Sequence, residues 1–243
     1  GTTGESVTTN TEEKREILTF VKKHVGGKIP IVYGIGGNHT QGVIDTINAT
    51  DFEGVDAILS VSPYYNKPSQ QGIIQHYTAV ADACPVPVIL YNVPGRTSSN
   101  LTAETTLKLA HHKNIIGIKE ASGNLEQCMK IVKDKPADFL VISGDDMLTV
   151  PMLSFGMDGV ISVLANGFPA KFSEMVRKGL EQNFTEASKL MLEFVDVNPL
   201  MYEESNPVGI KAVLEILGIC RSTVRLPLVE PTSGLKDRIQ KLL

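Results

Sequence analysis

A lysine set where lysines are costly is the first residue that could do chemistry. Lys119 stands in "GIKEAS", next to Ile116 and Ile118, in an apolar run that predicts burial. Burial disfavours the ammonium form, so its pKa is expected below the ~10.4 of a free lysine side chain. A neutral amine in a dry site can condense with a ketone or aldehyde to a Schiff base. That imine is an electron sink which lets a carbon–carbon bond form or break without a metal. The competing reading is a snorkelling lysine paired with Glu120 and no part in catalysis.

Other residues supply what an imine would need. Tyr64, Tyr65 and Tyr91 close two apolar runs, with Pro63 and Pro94 beside them, and a phenol there can shuttle protons during carbinolamine formation and dehydration. Structural tyrosines at strand ends are common, so each taken singly reads first as packing. Arg96, in "NVPGRTSS", follows a Pro-Gly turn and can hold a carboxylate through its bidentate fork, or lie idle at the surface. The opening "GTTGES" offers glycines for close backbone approach and the hydroxyls of Thr2 and Thr3. It lacks the Lys-Ser/Thr of a P-loop, and "GIGGN" at 34–38 is too short for a dinucleotide fingerprint. The histidines show no HxH or HExxH spacing, and His111-His112 at a helix end suggests a solvated or dipole-facing pair, so no metal site and no cofactor is expected.

These residues must be positioned by something regular. Short β-branched runs recur at 29–37, 57–65, 86–94, 115–122, 139–146 and 159–166, separated by segments of helical periodicity such as "SQQGIIQHYTAVADAC" and "LTAETTLKLAHH". The runs are continuously apolar, as strands of a parallel sheet covered on both faces must be. Their C-terminal edges carry the polar residues: Asn38 and His39, Tyr64 and Tyr65, Tyr91 and Asn92, Lys119 and Glu120, Asp145 and Asp146, and Asn166. Strand ends converge at one mouth in a (β/α)8 TIM barrel and spread along a line in an open doubly wound sheet. So many consecutive contributions favour the barrel, over residues 1–167, with the eighth barrel helix and a helical C-terminal extension over 168–243. Six strands leave a barrel two short. The expectation is therefore that "GTTGES" is the tip of the second strand and that the first βα unit and most of that strand precede Gly1.

Bulk properties exclude more than they select. A formal net charge of −4 over 243 residues gives no footprint for nucleic acid, and no apolar run reaches the ~20 residues of a membrane span. Cys84, Cys128 and Cys220 are too scattered for a disulfide framework and are expected as buried reduced thiols of a cytoplasmic protein.

The motifs "GTTGES", "SPYYNKPSQQG", "YNVPGRT", "GIKEASG", "SGDD" and "GVISV", in this order, resemble the dihydrodipicolinate synthase family, from Gly1 almost to Leu243. The resemblance implies a (β/α)8 barrel with a C-terminal helical region, assembled as a homotetramer of tight dimers. It implies that Lys119 forms the Schiff base with pyruvate and that the enamine attacks L-aspartate 4-semialdehyde. Thr3 would bind pyruvate's carboxylate, Thr2 would hydrogen-bond Tyr91, and Tyr91 would move protons near the imine. Tyr65 would complete the relay across the tight dimer, and Arg96 would hold the semialdehyde's carboxylate. Gly144 and Ile161 would line the pyruvate site. Related N-acetylneuraminate lyases and 2-keto-3-deoxy sugar acid aldolases share the lysine and a tyrosine, but generally not the "PGRT" arginine or the paired tyrosines; a non-catalytic barrel is the alternative of another class. Lysine-inhibited bacterial members carry histidines where this chain has Thr11 and Lys14 and a glutamate where it has Gly42, although Ser6, Asn38 and Tyr64 persist. Insensitivity to lysine is the expectation.

Overall fold

The computed structural model describes residues 1–243 and divides into two compact units. The strand-rich unit comprises Asn10–Ile142 and Phe155–Asp158. It runs α1 (Thr11–Val25), β1 (Val32–Gly34), α2 (Thr40–Asn48), β2 (Ala57–Val61), α3 (Gln70–Ala83), β3 (Val88–Asn92), α4 (Pro94–Thr97), α5 (Ala103–Leu109), β4 (Ile115–Glu120), α6 (Leu125–Asp134) and β5 (Leu140–Ser143), which ends at its border. The helix-rich unit comprises Gly1–Thr9, Ser143–Ser154 and Gly159–Leu243. It contains α7 (Thr149–Ser154), β6 (Gly159–Val160), α8 (Pro169–Leu180), α9 (Phe184–Leu192), α10 (Val208–Ile216) and α11 (Ser233–Gln240).

Every apolar run predicted as a strand contains one, and helices start where capping chemistry allows. Asn10 opens α1 with a capping box, its side chain accepting from the Glu13 amide while Glu13 returns to the Asn10 amide. Ser69, Thr102 and Asn124 cap α3, α5 and α6 through their side-chain oxygens. Strands β1 to β5 lie side by side in chain order, and β1–β2, β2–β3 and β3–β4 pair in parallel. Helical crossovers cover such strands, which is why β3 is buried along its whole length.

One irregularity in the sheet sets the register at the strand ends. Val88 pairs with Ile115 but Ile89 pairs with Gly117, so Ile116 is an extra residue in β4. The shift sets Tyr91 opposite Lys119 and Asn92 opposite Glu120. Without it Tyr91 would face Ile118, and every side chain beyond would point to the wrong face. Gly117 allows the crowding this entails, because a β-carbon there would stand 2.7 Å from the Leu140 carbonyl oxygen.

The helix-rich unit has its own core, in which Phe172, Met175, Phe194, Met201, Ile210, Val213 and Leu235 are buried together. Residues 2–8 form turns, closed by Glu5 N–H donating to the Thr2 carbonyl (3.0 Å) and Ser6 N–H to that of Gly1 (3.2 Å), where the sequence suggested a strand tip. No helix is long and apolar enough to cross a membrane. The cysteines are all free, but Cys220 is exposed, contrary to the expectation of three buried thiols. His112 is bound to Asp82 at 3.1 Å instead of being solvated.

Candidate active site

Lys119 and Tyr91, neighbours across β3 and β4, form the centre of the candidate site. The Lys119 Nζ lies 4.3 Å from the centroid of the Tyr91 ring, a cation–π distance. Tyr91 is buried and Lys119 half-buried, so the lysine emerges from an apolar strand whose Ile118 is fully enclosed. Burial raises the phenol of Tyr91 above its ordinary range, partly offset by the charge of Arg96. The phenol therefore stays protonated at neutral pH and can donate. Arg96 is exposed, in the single turn of α4 that Pro94 begins.

The competing partner of the lysine is committed elsewhere. Glu120 follows Lys119 directly, so strand alternation sends its carboxylate to the opposite face. There it is fully buried and accepts from Ser122 N–H (2.7 Å), Asn92 Nδ2 (3.0 Å) and Gln127 Nε2 (3.0 Å). Burial and the charge of Glu120 together push the Cys128 thiol up to about 12.

The paired tyrosines separate in character. Tyr65 is 88% exposed and Tyr64 37%. Tyr65 also holds a left-handed backbone with φ +74°, a conformation that costs a β-carbon-bearing residue about 1 kcal/mol or more. The turn is fixed by Asn66, whose Nδ2 donates to the Asn38 carbonyl (2.9 Å), and by Asn38 Nδ2 donating to the Tyr64 carbonyl (3.1 Å).

The remaining predicted residues belong to the helix-rich unit. Thr3 and Thr2 are half-buried in the opening turns, and Thr3 Oγ1 accepts from Asn206 Nδ2 at 3.0 Å. Because that bond uses an oxygen lone pair, the hydroxyl proton is left to donate. Glu5 in the same turns is ion-paired with Lys211 of α10 at 2.9 Å, both side chains largely enclosed. Ile161 N–H donates to the Ser143 carbonyl at 2.9 Å, and Gly144 is half-buried beside that residue in the chain. The acids of "SGDD", assigned by the sequence to a polar rim, are occupied by backbone. Asp146 accepts from Leu164 N–H (2.7 Å) and Val163 N–H (3.1 Å), and Asp145 from Met147 N–H (3.1 Å) and Leu148 N–H (3.2 Å).

Sequence reasoning did not single out Asn206, Lys211 or Gln127, and it set Asn92 at a polar rim, whereas Asn92 is fully buried. For Asn92 a signal existed, namely an amide side chain in a fully apolar strand directly after the tyrosine. Asn206 had none, since it meets Thr3 from 203 positions away.

The chain matches a sequence profile described as the Dihydrodipicolinate synthetase family over residues 1–243. It is 55% identical over 241 residues to a 4-hydroxy-tetrahydrodipicolinate synthase of Cytophaga hutchinsonii, covering 99% of this chain and 81% of that one. Among solved structures, it superposes on dihydrodipicolinate synthase from Aquifex aeolicus with a TM-score of 0.95 at 37% identity, over 100% of this chain and 83% of that one. A chloride-inhibited dihydrodipicolinate synthase from Acinetobacter baumannii, complexed with pyruvate, gives a TM-score of 0.96 at 36% identity over 100% and 83%.

Proposed function

The chain belongs to the dihydrodipicolinate synthetase family, and from that premise we propose that it condenses pyruvate with L-aspartate 4-semialdehyde to 4-hydroxy-tetrahydrodipicolinate. The observation that carries the reading is the Lys119 amine held 4.3 Å over the Tyr91 ring. The lysine attacks the ketone carbon of pyruvate, and the carbinolamine loses water to give the imine. Loss of a methyl proton gives the enamine, which attacks the aldehyde carbon of the semialdehyde and leaves the 4-hydroxyl. The substrate's own amine then adds to the imine carbon, closes the ring and expels the Lys119 amine. One water is released overall. Tyr91 supplies and recovers the protons of carbinolamine collapse, a role that suits a phenol kept neutral by burial.

The other residues take their places in the same reaction. Arg96 holds the carboxylate of the semialdehyde, and its exposure leaves the guanidinium open to an incoming anion. Thr3 donates to pyruvate's carboxylate, supported by the Asn206 bond that leaves its proton available, while Thr2 relays to Tyr91. Gly144 and Ile161 contribute backbone to the same ketoacid. Tyr65, exposed on a strained turn, serves a second copy of the chain in a homo-oligomer. The architecture proposed is the eight-stranded (β/α)8 barrel, with residues 1–167 in the barrel and 168–243 in its last helix and extension. Free thiols agree with a cytoplasmic setting.

Borohydride tests the covalent step. Incubation with pyruvate and borohydride should leave a reduced three-carbon adduct on the peptide bearing Lys119. An unmodified peptide, or an adduct on a different lysine, would overturn the mechanism.

A further inference from the structure

The bulge in β4 sets two adjacent residue pairs across the strands, Tyr91 with Lys119 and Asn92 with Glu120. The first pair is the proposed reaction centre. The second, on the opposite face, is fully buried: Asn92 and Glu120 both have 0% exposure. Burying a carboxylate is costly, and an apolar pair would fill the same space more cheaply. Its partners show what the cost secures.

Glu120 can only accept, and Asn92 Nδ2 donates to both of its oxygens, at 3.0 and 3.2 Å. With the amide nitrogen so directed, Asn92 Oδ1 must face the other way, where it accepts from Leu101 N–H at 3.0 Å. Asn92 Nδ2 also reaches Asn100 Oδ1 at 2.8 Å, and Asn100 Nδ2 donates to Gln127 Oε1 at 2.9 Å. Gln127 Nε2 completes the circuit onto Glu120 at 3.0 Å. Thus one acceptor-only group orients each amide in the ring. The ring joins β3, β4, the start of α6 and the loop that leaves α4 with Arg96. Three residues proposed for the reaction are therefore each a few positions from a member of one buried network.

We propose that the Asn92–Glu120–Gln127 cluster is a positioning device for the reaction, whose buried carboxylate locks the β3–β4 register and the Arg96 loop so that the Lys119 amine stays over Tyr91. The proposal rests on the Schiff-base reading and adds residues that do not touch substrate. Glu120→Gln keeps the shape but puts a donor where donors arrive, so at least one N–H must face another and the register is no longer held from behind. The double variant Asn92→Asp with Glu120→Gln restores the pairing in reverse. The carboxylate then lies on β3 and accepts from β4, and Asn100 and Gln127 must both turn their amides to match, so that Gln127 accepts from position 120 and donates to Asn100.

The test is the rate and the amplitude of pyruvate-dependent borohydride trapping, with kcat and the KM for pyruvate measured alongside. Glu120→Gln should trap to full amplitude but at least tenfold more slowly, with kcat falling in step. The double variant should recover a large part of the rate. Should Glu120→Gln not fold, Gln127→Met, which removes one donor from the carboxylate, should slow trapping several-fold. A trapping rate within twofold of the parent, whatever the loss of thermal stability or amplitude, would reduce the cluster to a structural role and overturn the proposal. So would failure of the double variant to recover any rate. Absence of a Lys119 adduct in the parent protein is a different result, and it would overturn the Schiff-base reading itself.

Discussion

Replacing Tyr91 with phenylalanine removes one oxygen from the centre and leaves everything else that the residue does. The ring stays at the 4.3 Å position beneath Lys119, and its burial in β3 is kept. Loss of a single hydroxyl should change stability by about 1 kcal/mol or less. Chemistry should suffer more. Positioned acid–base groups contribute about 10²–10⁴-fold, and an alternative path through solvent argues for the lower part of that range. A drop in kcat of about 10²–10³-fold, equivalent to roughly 2.7–4 kcal/mol, is the expected outcome. Initial rates with both substrates would measure it, with thermal unfolding as the control for folding and pyruvate trapping as the control for an intact lysine. Trapping should persist at a reduced rate, because the nucleophile remains. A loss below fivefold would refute the assignment of proton transfer to this phenol. Complete loss of trapping would show that the hydroxyl positions the amine.

Arg96→Ala should lower kcat/KM for the semialdehyde by roughly 10–100-fold while pyruvate trapping continues, since only the second carboxylate loses its partner; equal damage to both steps would misplace the arginine. His76 supplies a pH prediction. It is 5% exposed, Thr40 Oγ1 lies 2.9 Å from its Nδ1, and burial lowers its pKa to about 4 from 6.5. The unfolded chain takes up this proton near pH 6.5 and the folded chain only near 4, so the contribution is present above 6.5 and lost as pH falls to 4, about 3 kcal/mol in all. His76→Asn should flatten the stability profile in that window in urea titrations, and an unchanged slope would contradict it. Finally, with Gly42 in the first turn of α2 where a lysine-binding member would carry glutamate, activity should persist at millimolar L-lysine. Half-inhibition at submillimolar concentration would show that other residues restore the site.

The strands and the residues at their ends were legible because both depend on local order. An apolar β-branched run is economical as a buried strand, and a lysine and tyrosines ending successive runs together point to chemistry that no one of them would indicate alone. Chain order also sufficed to identify Lys119, Tyr91 and Arg96 as candidates. Their mutual geometry did not follow from it. In parallel strands joined by a helix no tight turn fixes the register, so packing decides it, and here the extra residue Ile116 resets it by one. Strand alternation puts Glu120, which the sequence offered as a partner for Lys119, on the far face, and the register then sets it opposite Asn92, where amides surround it. Thr3 shows the same dependence at longer range, since its contact with Asn206 exists only once α10 has packed into the core of the helix-rich unit. Sequence by itself determined which chemical groups this protein has and that Lys119 and Tyr91 end successive apolar runs. Tertiary structure decided which groups face one another, because hydrogen-bond satisfaction in a closed interior depends on every neighbour at once, and neighbours in space are seldom neighbours in the chain.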